Sequence, residues 1–290
     1  MYKLTPAEKI VHALIYLTLL ALMAICLFPF LYVLGVSFTS QAEAMRRSIV
    51  IIPEHITLAA YKEILGTKLI YSAYRVTLFV TAAGTLLNLA FTMLTAYPLA
   101  RKSLKGRRFF LLYIVFTMLF SGGMIPQYLL VKELGMLNSV WSLMVPGLIS
   151  AFNLLIVKGF FEQLPEAIDE SARMDGAGEL RILWSVVLPL SAPILATIGL
   201  FYAVGHWNSF FDAVLYIQDA DKYPLQVVLR NILLGATALN NENIPDMQDA
   251  VNPISIQMAA VIVTTVPILL VYPFIQKHFA KGVLLGSVKG

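Results

Sequence analysis

The chain has 290 residues, of which 59% are hydrophobic and only 13% charged, with a net charge of +4 and a mean hydropathy of +0.77. So little charge excludes an ordinary soluble domain, and the single cysteine, Cys26, excludes an intrachain disulfide framework. The small positive balance does not require a nucleic-acid partner, because basic residues at lipid headgroups account for it.

Six apolar stretches approach the roughly 20 residues that a helix needs to cross a hydrocarbon core about 30 Å thick. They run over Ala13–Val36, Tyr74–Pro98, Phe109–Val131, Ser139–Val157, Val186–Trp207 and Gln257–Ile275. Continuous apolar runs predict helices and not a β-barrel. The expectation is an all-α membrane protein of six transmembrane helices, forming one transmembrane domain over residues 1–290. Lys3 and Lys9 precede the first run as in a secretion signal, but the run is longer than a 7–15-residue signal core, so it reads as a retained span. Cys26 inside it reads as a small buried hydrophobe, and Ile25 argues against a lipoprotein cleavage site.

Orientation follows from the basic residues of the connecting segments. With the N-terminus inside, the shorter inner segments hold most of the 21 Lys and Arg, including the cluster Arg101, Lys102, Lys105, Arg107 and Arg108. Both termini are therefore expected in the cytoplasm. Two outer segments are long, Ser37–Ala73 and Ser209–Ile256, and loops of that size usually carry function. In the second, Leu225, Val228, Leu229, Ile232 and Leu233 recur at helical spacing while Gln226, Arg230 and Asn231 fall opposite, which predicts a helix lying on the outer membrane surface. Ala238–Pro253, rich in Asn, Asp and Pro, reads either as a loop that meets a soluble partner or as a solvated connector.

The inner segment Lys158–Ser185 carries the densest signal. Pro165 suits a first helical turn, and Glu166, Asp169 and Glu170 favour the positive end of a helix dipole. A helix is expected through Ser171, Ala172, Arg173 and Met174 to Asp175, with Gly176 as its stop. A second piece, Glu179–Leu188, leads into the fifth span and meets Pro189. Small Ser171 and Ala172 leave room for another protein, so the element reads as a docking knob, the plain alternative being an amphipathic connector.

The sequence contains no G-x-x-x-x-G-K-[ST] phosphate loop, so any ATP is handled by another chain. Fixed charges are nearly absent from the spans, unlike in ion-coupled carriers. His206 falls at the outer end of the fifth span beside Trp207, where an aromatic belt is expected. No His, Cys or carboxylate cluster in the inner loops shows metal-ligand spacing, and no Ser–His pair is placed for nucleophilic chemistry within a span, so no catalytic, metal or cofactor site is expected. The polar residues within the spans are neutral, namely Tyr113, Thr117, Gln127, Tyr128, Asn153, Tyr202 and Asn208. Amides, hydroxyls and aromatic faces suit a hydroxyl-rich cargo. Gln127, Tyr128, Tyr202 and Asn208 lie in the outer halves of their spans and are the candidate pathway residues, unless they serve only to join helices.

At this point the residues carry a family resemblance. Glu170-Ser171-Ala172, three residues, Gly176, nine residues and Val186-Val187-Leu188-Pro189 resemble the EAA loop of ABC-importer permeases, with Ser for the first Ala and Val for the usual Ile. Asp175-Gly176-Ala177, Trp207-Asn208-Ser209-Phe210 and Gln276-Lys277-His278-Phe279 resemble the carbohydrate branch that includes the maltose-importer permeases. Gly122-Gly123-Met124-Ile125-Pro126-Gln127-Tyr128 with Gly135-Met136-Leu137-Asn138 is similar to a subgroup importing oligosaccharides or polysaccharide fragments such as alginate. The resemblance implies a type I importer core in a bacterial inner membrane and a coupling helix around Glu170 seated in a separate ATPase that binds ATP and magnesium. It further implies a second homologous permease subunit, two ATPase subunits and an external sugar-binding protein, with the tail Lys281–Gly290 along the ATPase dimer. The alternative is a solute channel that works without ATP.

Overall fold

The computed structural model describes residues 5–47, 49–235 and 251–287, and among them every regular element is helical. By contacts the chain forms two compact units, Met1–Lys68 with Leu229–Val266 and Leu69–Val228 with Pro267–Gly290.

In the first unit, α1 (Pro6–Ser37) starts at a capping box: Thr5 Oγ1 accepts from the Glu8 N–H while the Glu8 carboxylate accepts from the Thr5 N–H. At about 1.5 Å per residue its 32 residues exceed a hydrocarbon core in length, and it is apolar on every face. Two short helices follow, α2 (Gln41–Arg46) and α3 (Ala59–Gly66). Gly35 is required where it stands, since a Cβ there would lie 2.3 Å from the Ile51 carbonyl oxygen. The buried Glu43 carboxylate accepts the Glu54 N–H at 3.0 and 3.1 Å and an Arg47 guanidinium at 3.1 Å. The Glu54 N–H, the His55 N–H and Arg47 outweigh burial and hold its pKa below the usual carboxylate range. Ser255 Oγ donates to the Thr39 carbonyl, tying the loop to the start of α14 (Pro253–Ser287).

The second unit begins with α4 (Lys68–Ala100), 33 residues long. The expected third span is not one straight helix. It consists of α5 (Arg107–Leu119) and α6 (Met124–Glu133), bent by 114°. The chain leaves α5 in extended form at Phe120, and Gly123, which leads into α6, holds φ +88°, a conformation that side chains resist. The fourth expected span is also different, with a single 3-10 turn at Val140–Leu143, an irregular stretch over 144–150, and α7 (Ala151–Phe161) capped by Ser150. Pro146 and Gly147 interrupt the ladder there.

α8 (Glu166–Met174) follows, and then α9 (Glu179–Ile182), a widened π turn over Leu183–Val187 and α10 (Leu188–Leu190). This run bends by 86° at Ser191 into α11 (Ala192–Trp207). Pro189 and Pro193 supply no N–H on either side of the bend. α12 (Phe211–Tyr216) and α13 (Leu225–Gly235) follow, the division between the units falling within α13.

Among the described residues, three helices are long and apolar enough to cross a membrane by length and composition, or up to five if each bent pair counts as one crossing. The core of the second unit packs Ala96 and Leu99 of α4 against Leu154 and Val157 of α7, Ile182 and Leu183 around α9, and Ile198 of α11. A second cluster joins Val80, Leu143, Met144, Ala213, Ile217 and Val227.

Candidate functional site

Two places in the second unit collect polar groups. The first surrounds α8. Its local sequence reading holds at backbone level: Pro165 precedes the helix, Asp175 caps it, and Gly176 turns the chain at φ +77°. Glu166 opens the helix, its side chain lying outside the described residues. Helical spacing then divides the rest. Ile168, Asp169 and Ala172 turn towards the protein, whereas Glu170, Ser171, Met174, Asp175 and Gly176 are exposed. Ala172 packs against the core cluster and is occupied inside the protein, so of the two small residues only Ser171 faces out.

Asp169 is the anchor of this element. Both Arg101 η nitrogens, from the residue just past α4, donate to its two carboxylate oxygens, and Arg173 Nε donates to Oδ2 at 3.1 Å. Arg173 also pairs with Glu179 at the start of α9. Tyr97 Oη donates to Glu179 at 2.9 Å and accepts from Arg101, whose guanidinium lies 4.6 Å from the Tyr97 ring centroid. These contacts close a ring, Arg101–Asp169–Arg173–Glu179–Tyr97, that links α4, α8 and α9. Burial raises the Asp169 pKa, but the hydrogen bonds and charges of Arg101 and Arg173 prevail and hold it below the usual range. Beside the ring, Arg107 and Lys158 both pair with Glu162, and a cleft of about 480 Å³ opens along Arg101, Asp169 and Val186.

The second place is a cavity of about 500 Å³ between α4, α6, α7, α11 and the 144–150 stretch. Irregular backbone in an apolar region needs partners for its polar groups. Asn88, buried in the middle of α4, donates through Nδ2 to both the Gly147 and Leu148 carbonyls at 2.8 Å. Its Oδ1 lies 2.6 Å from His206 Nε2. Tyr202 Oη accepts the Ser150 N–H at 3.1 Å and shares a hydrogen bond of 2.8 Å with Thr92. Gly84 is required beside this node, because a Cβ there would sit 2.5 Å from His206 Nε2.

Of the four pathway candidates, Gln127, Tyr202 and Asn208 line this cavity. Tyr128 is not among its lining residues. Its ring stacks on Tyr216 with centroids 6.3 Å apart. Sequence reasoning missed Asn88, although an amide amid an apolar run was its signal, and it missed Asp212, which lines the cavity five residues past the fifth span. Desolvation raises the Asp212 pKa above the usual carboxylate range. Among the described residues no group of three or more His, Cys, Asp or Glu is arranged to hold a metal ion. The Ala238–Pro253 loop lies, for all but its last residues, outside the described residues, and so does the end of the Lys281–Gly290 tail.

Comparisons with known proteins agree with this architecture. A family model described as "Binding-protein-dependent transport system inner membrane component" matches residues 89–285. Protein LplC of Bacillus subtilis is 51% identical, the match covering 92% of this chain and 90% of LplC. The polygalacturonan/rhamnogalacturonan transport system permease protein YtcP of the same organism is 46% identical, over 98% of this chain and 99% of its own. A crystal structure of a bacterial ABC transporter involved in the import of the acidic polysaccharide alginate contains a chain that superposes with TM-score 0.88 at 31% identity, covering 96% of this chain and 100% of that one. The bent α5–α6 and α9–α11 pairs thus belong to a fold shared with a solved transporter.

Proposed function

The chain belongs to the family of binding-protein-dependent transport system inner membrane components, and from that premise we propose that it forms half of the translocation pathway of an ATP-driven importer of oligosaccharides or polysaccharide fragments. Support for the cargo class comes from YtcP and the alginate transporter, both of which are named for polysaccharides. The neutral amides and aromatic faces of the 500 Å³ cavity suit the same class.

The whole chain acts as one permease domain with six membrane passes and cytoplasmic termini, the bent pairs and the 144–150 stretch with α7 each completing a pass. It pairs with a second, similar membrane subunit to make a heterodimer. An external sugar-binding protein delivers cargo, and two ATPase subunits inside bind ATP and magnesium. The chain itself carries no catalytic site.

Energy enters through α8. The observation that carries this reading is the closed ring from Arg101 through Asp169, Arg173 and Glu179 to Tyr97. It fixes the inward face of α8 to the end of α4 and the start of the α9–α11 run, while Glu170, Ser171, Met174 and Asp175 remain outside for a partner. A push on the exposed face is thereby delivered to two helices that line the cavity.

Single cysteines placed at Ser171 and Asp175 in the assembled complex test this. We expect each to crosslink to the ATPase subunit from the cytoplasmic side, with uptake in vesicles depending on ATP. Crosslinking to no nucleotide hydrolase would remove the coupling role, and ATP-independent solute leakage through the purified chain would favour a channel.

A further inference from the structure

The polar groups around the cavity divide into those already spent and those still open. Asn88 is saturated by two carbonyls and His206, and the Tyr202 hydroxyl by Thr92 and the Ser150 N–H. Asn208 donates to the Val204 carbonyl at 2.9 Å and accepts from Gln226 at 3.4 Å. The Ser142 hydroxyl serves the Ser139 carbonyl, and the Ser150 hydroxyl caps α7 at Asn153.

Four lining side chains remain: Gln127, Asn153, Ser209 and Asp212 make no side-chain hydrogen bond or ion pair among the described residues. Asn153 is the most telling of them. It is only 6% exposed, and the open space its residue lines is the cavity. Asp212 lines the same cavity at its exposed side, and no cation is paired with it among the described residues.

A carboxylate offers only acceptors, with room for two donors side by side, and an amide offers both donors and acceptors. Adjacent hydroxyls of a pyranose present two donors at matching separation. Phe201 and Phe211 line the same cavity, and aromatic rings cover the C–H face of a sugar.

We propose that Asp212, Asn153 and Gln127 form a hydroxyl-binding subsite for a pyranose ring of the cargo, with Asp212 accepting from two adjacent hydroxyls. Tyr202, whose hydroxyl is engaged by Thr92 and the Ser150 N–H, shapes the wall. The subsite rests on the transport reading above, and it assigns cargo contact to side chains the bundle has left open.

The test uses the complete complex, with its partner membrane subunit, ATPase subunits and binding protein, in proteoliposomes. The probes are fluorescently tagged oligosaccharides released from polygalacturonan and from rhamnogalacturonan. Asp212→Ala is expected to slow initial uptake at least tenfold and Asn153→Ala several-fold, with Asp212→Glu recovering to within about threefold of the original. Because the Asp212 side chain makes no hydrogen bond or ion pair among the described residues, Asp212→Ala should leave the thermal unfolding midpoint unchanged, whereas Tyr202→Phe should lower it. Unaltered uptake in both Asp212→Ala and Asn153→Ala would overturn the subsite and leave the transport reading standing. A lowered midpoint in Asp212→Ala, without rescue by Asp212→Glu, would also overturn it by assigning Asp212 a structural role. Should the unmodified complex move neither probe in the presence of ATP, the transport reading fails for this cargo class, and the subsite with it.

Discussion

Arg101 meets Asp169 fork to fork, two guanidinium nitrogens on two carboxylate oxygens, although 68 residues separate them in sequence. The pair is partly buried, so each partner depends on the other to offset lost hydration. It turns a surface helix into an extension of α4.

Breaking this pair should uncouple hydrolysis from transport. Asp169→Asn or Arg101→Ala is expected to lower ATP-driven uptake about tenfold or more while the assembled complex still hydrolyses ATP. The double exchange Arg101→Asp with Asp169→Arg should recover part of the loss. Parallel measurements of uptake and phosphate release check this, and equal losses in both would assign the pair to assembly.

The same contact has a defined pH range. The Asp169 pKa in the folded protein is depressed, so its stabilising contribution is complete above the ordinary Asp value of about 4 and is lost as pH falls through the lower folded value. Thermal unfolding of the original protein and of Asp169→Asn in detergent should therefore differ by a constant amount between about pH 7 and 5. The difference should shrink below about pH 4.

Asn88 should be the most sensitive polar position within the apolar helices. Asn88→Leu strands the Gly147 and Leu148 carbonyls and the His206 ring in apolar surroundings, at a cost of about 1–3 kcal/mol for each orphaned group. A clear fall in the unfolding midpoint of the purified protein is expected, and no change would mean that water replaces the amide.

Gly84→Ala should act through the same node. The new methyl group displaces the His206 ring, and overpacking of this kind typically costs about 1–3 kcal/mol. His206→Ala should relieve the defect of Gly84→Ala at least in part, which unfolding of the double variant would reveal.

Met174 is 88% exposed at the tip of α8, and an apolar side chain so placed gains by docking. Met174→Asp and Glu170→Lys should each weaken copurification of the ATPase subunit about tenfold without altering thermal unfolding, and Met174→Leu should be silent.

Much of this architecture was legible in the chain itself. Pro165, the acidic first turn and Gly176 fix α8 by local rules alone, and the structure places its ends within a residue of that expectation. The apolar runs around α1, α4 and α14 were readable for the same reason, since continuous hydrophobicity over many turns has one interpretation. The breaks at Gly122-Gly123 and Ser191, and the irregular stretch after Leu143, were not. Hydropathy reports the solvent around a segment and says nothing of its backbone path, so a kinked pair and a straight rod look alike. The candidate pathway residues were chosen by type and depth, and the hydrogen-bond network then separated them: Tyr202 is consumed by Thr92 and Ser150, and Tyr128 stacks elsewhere. Pairings such as Asn88 with His206 span 118 residues and leave no trace in local pattern.

The 144–150 stretch has a mechanical consequence. Its Gly147 and Leu148 carbonyls are held by a side chain of α4 and its Ser150 amide by one of α11, so sliding either helix past it would strip those peptide groups of their partners. α4, α11 and this stretch are riveted into one block. On the proposed transport reading, opening and closing carries that block as a piece and finds its give at the glycine elbow of α5 and α6 or at the crook beside Ser191.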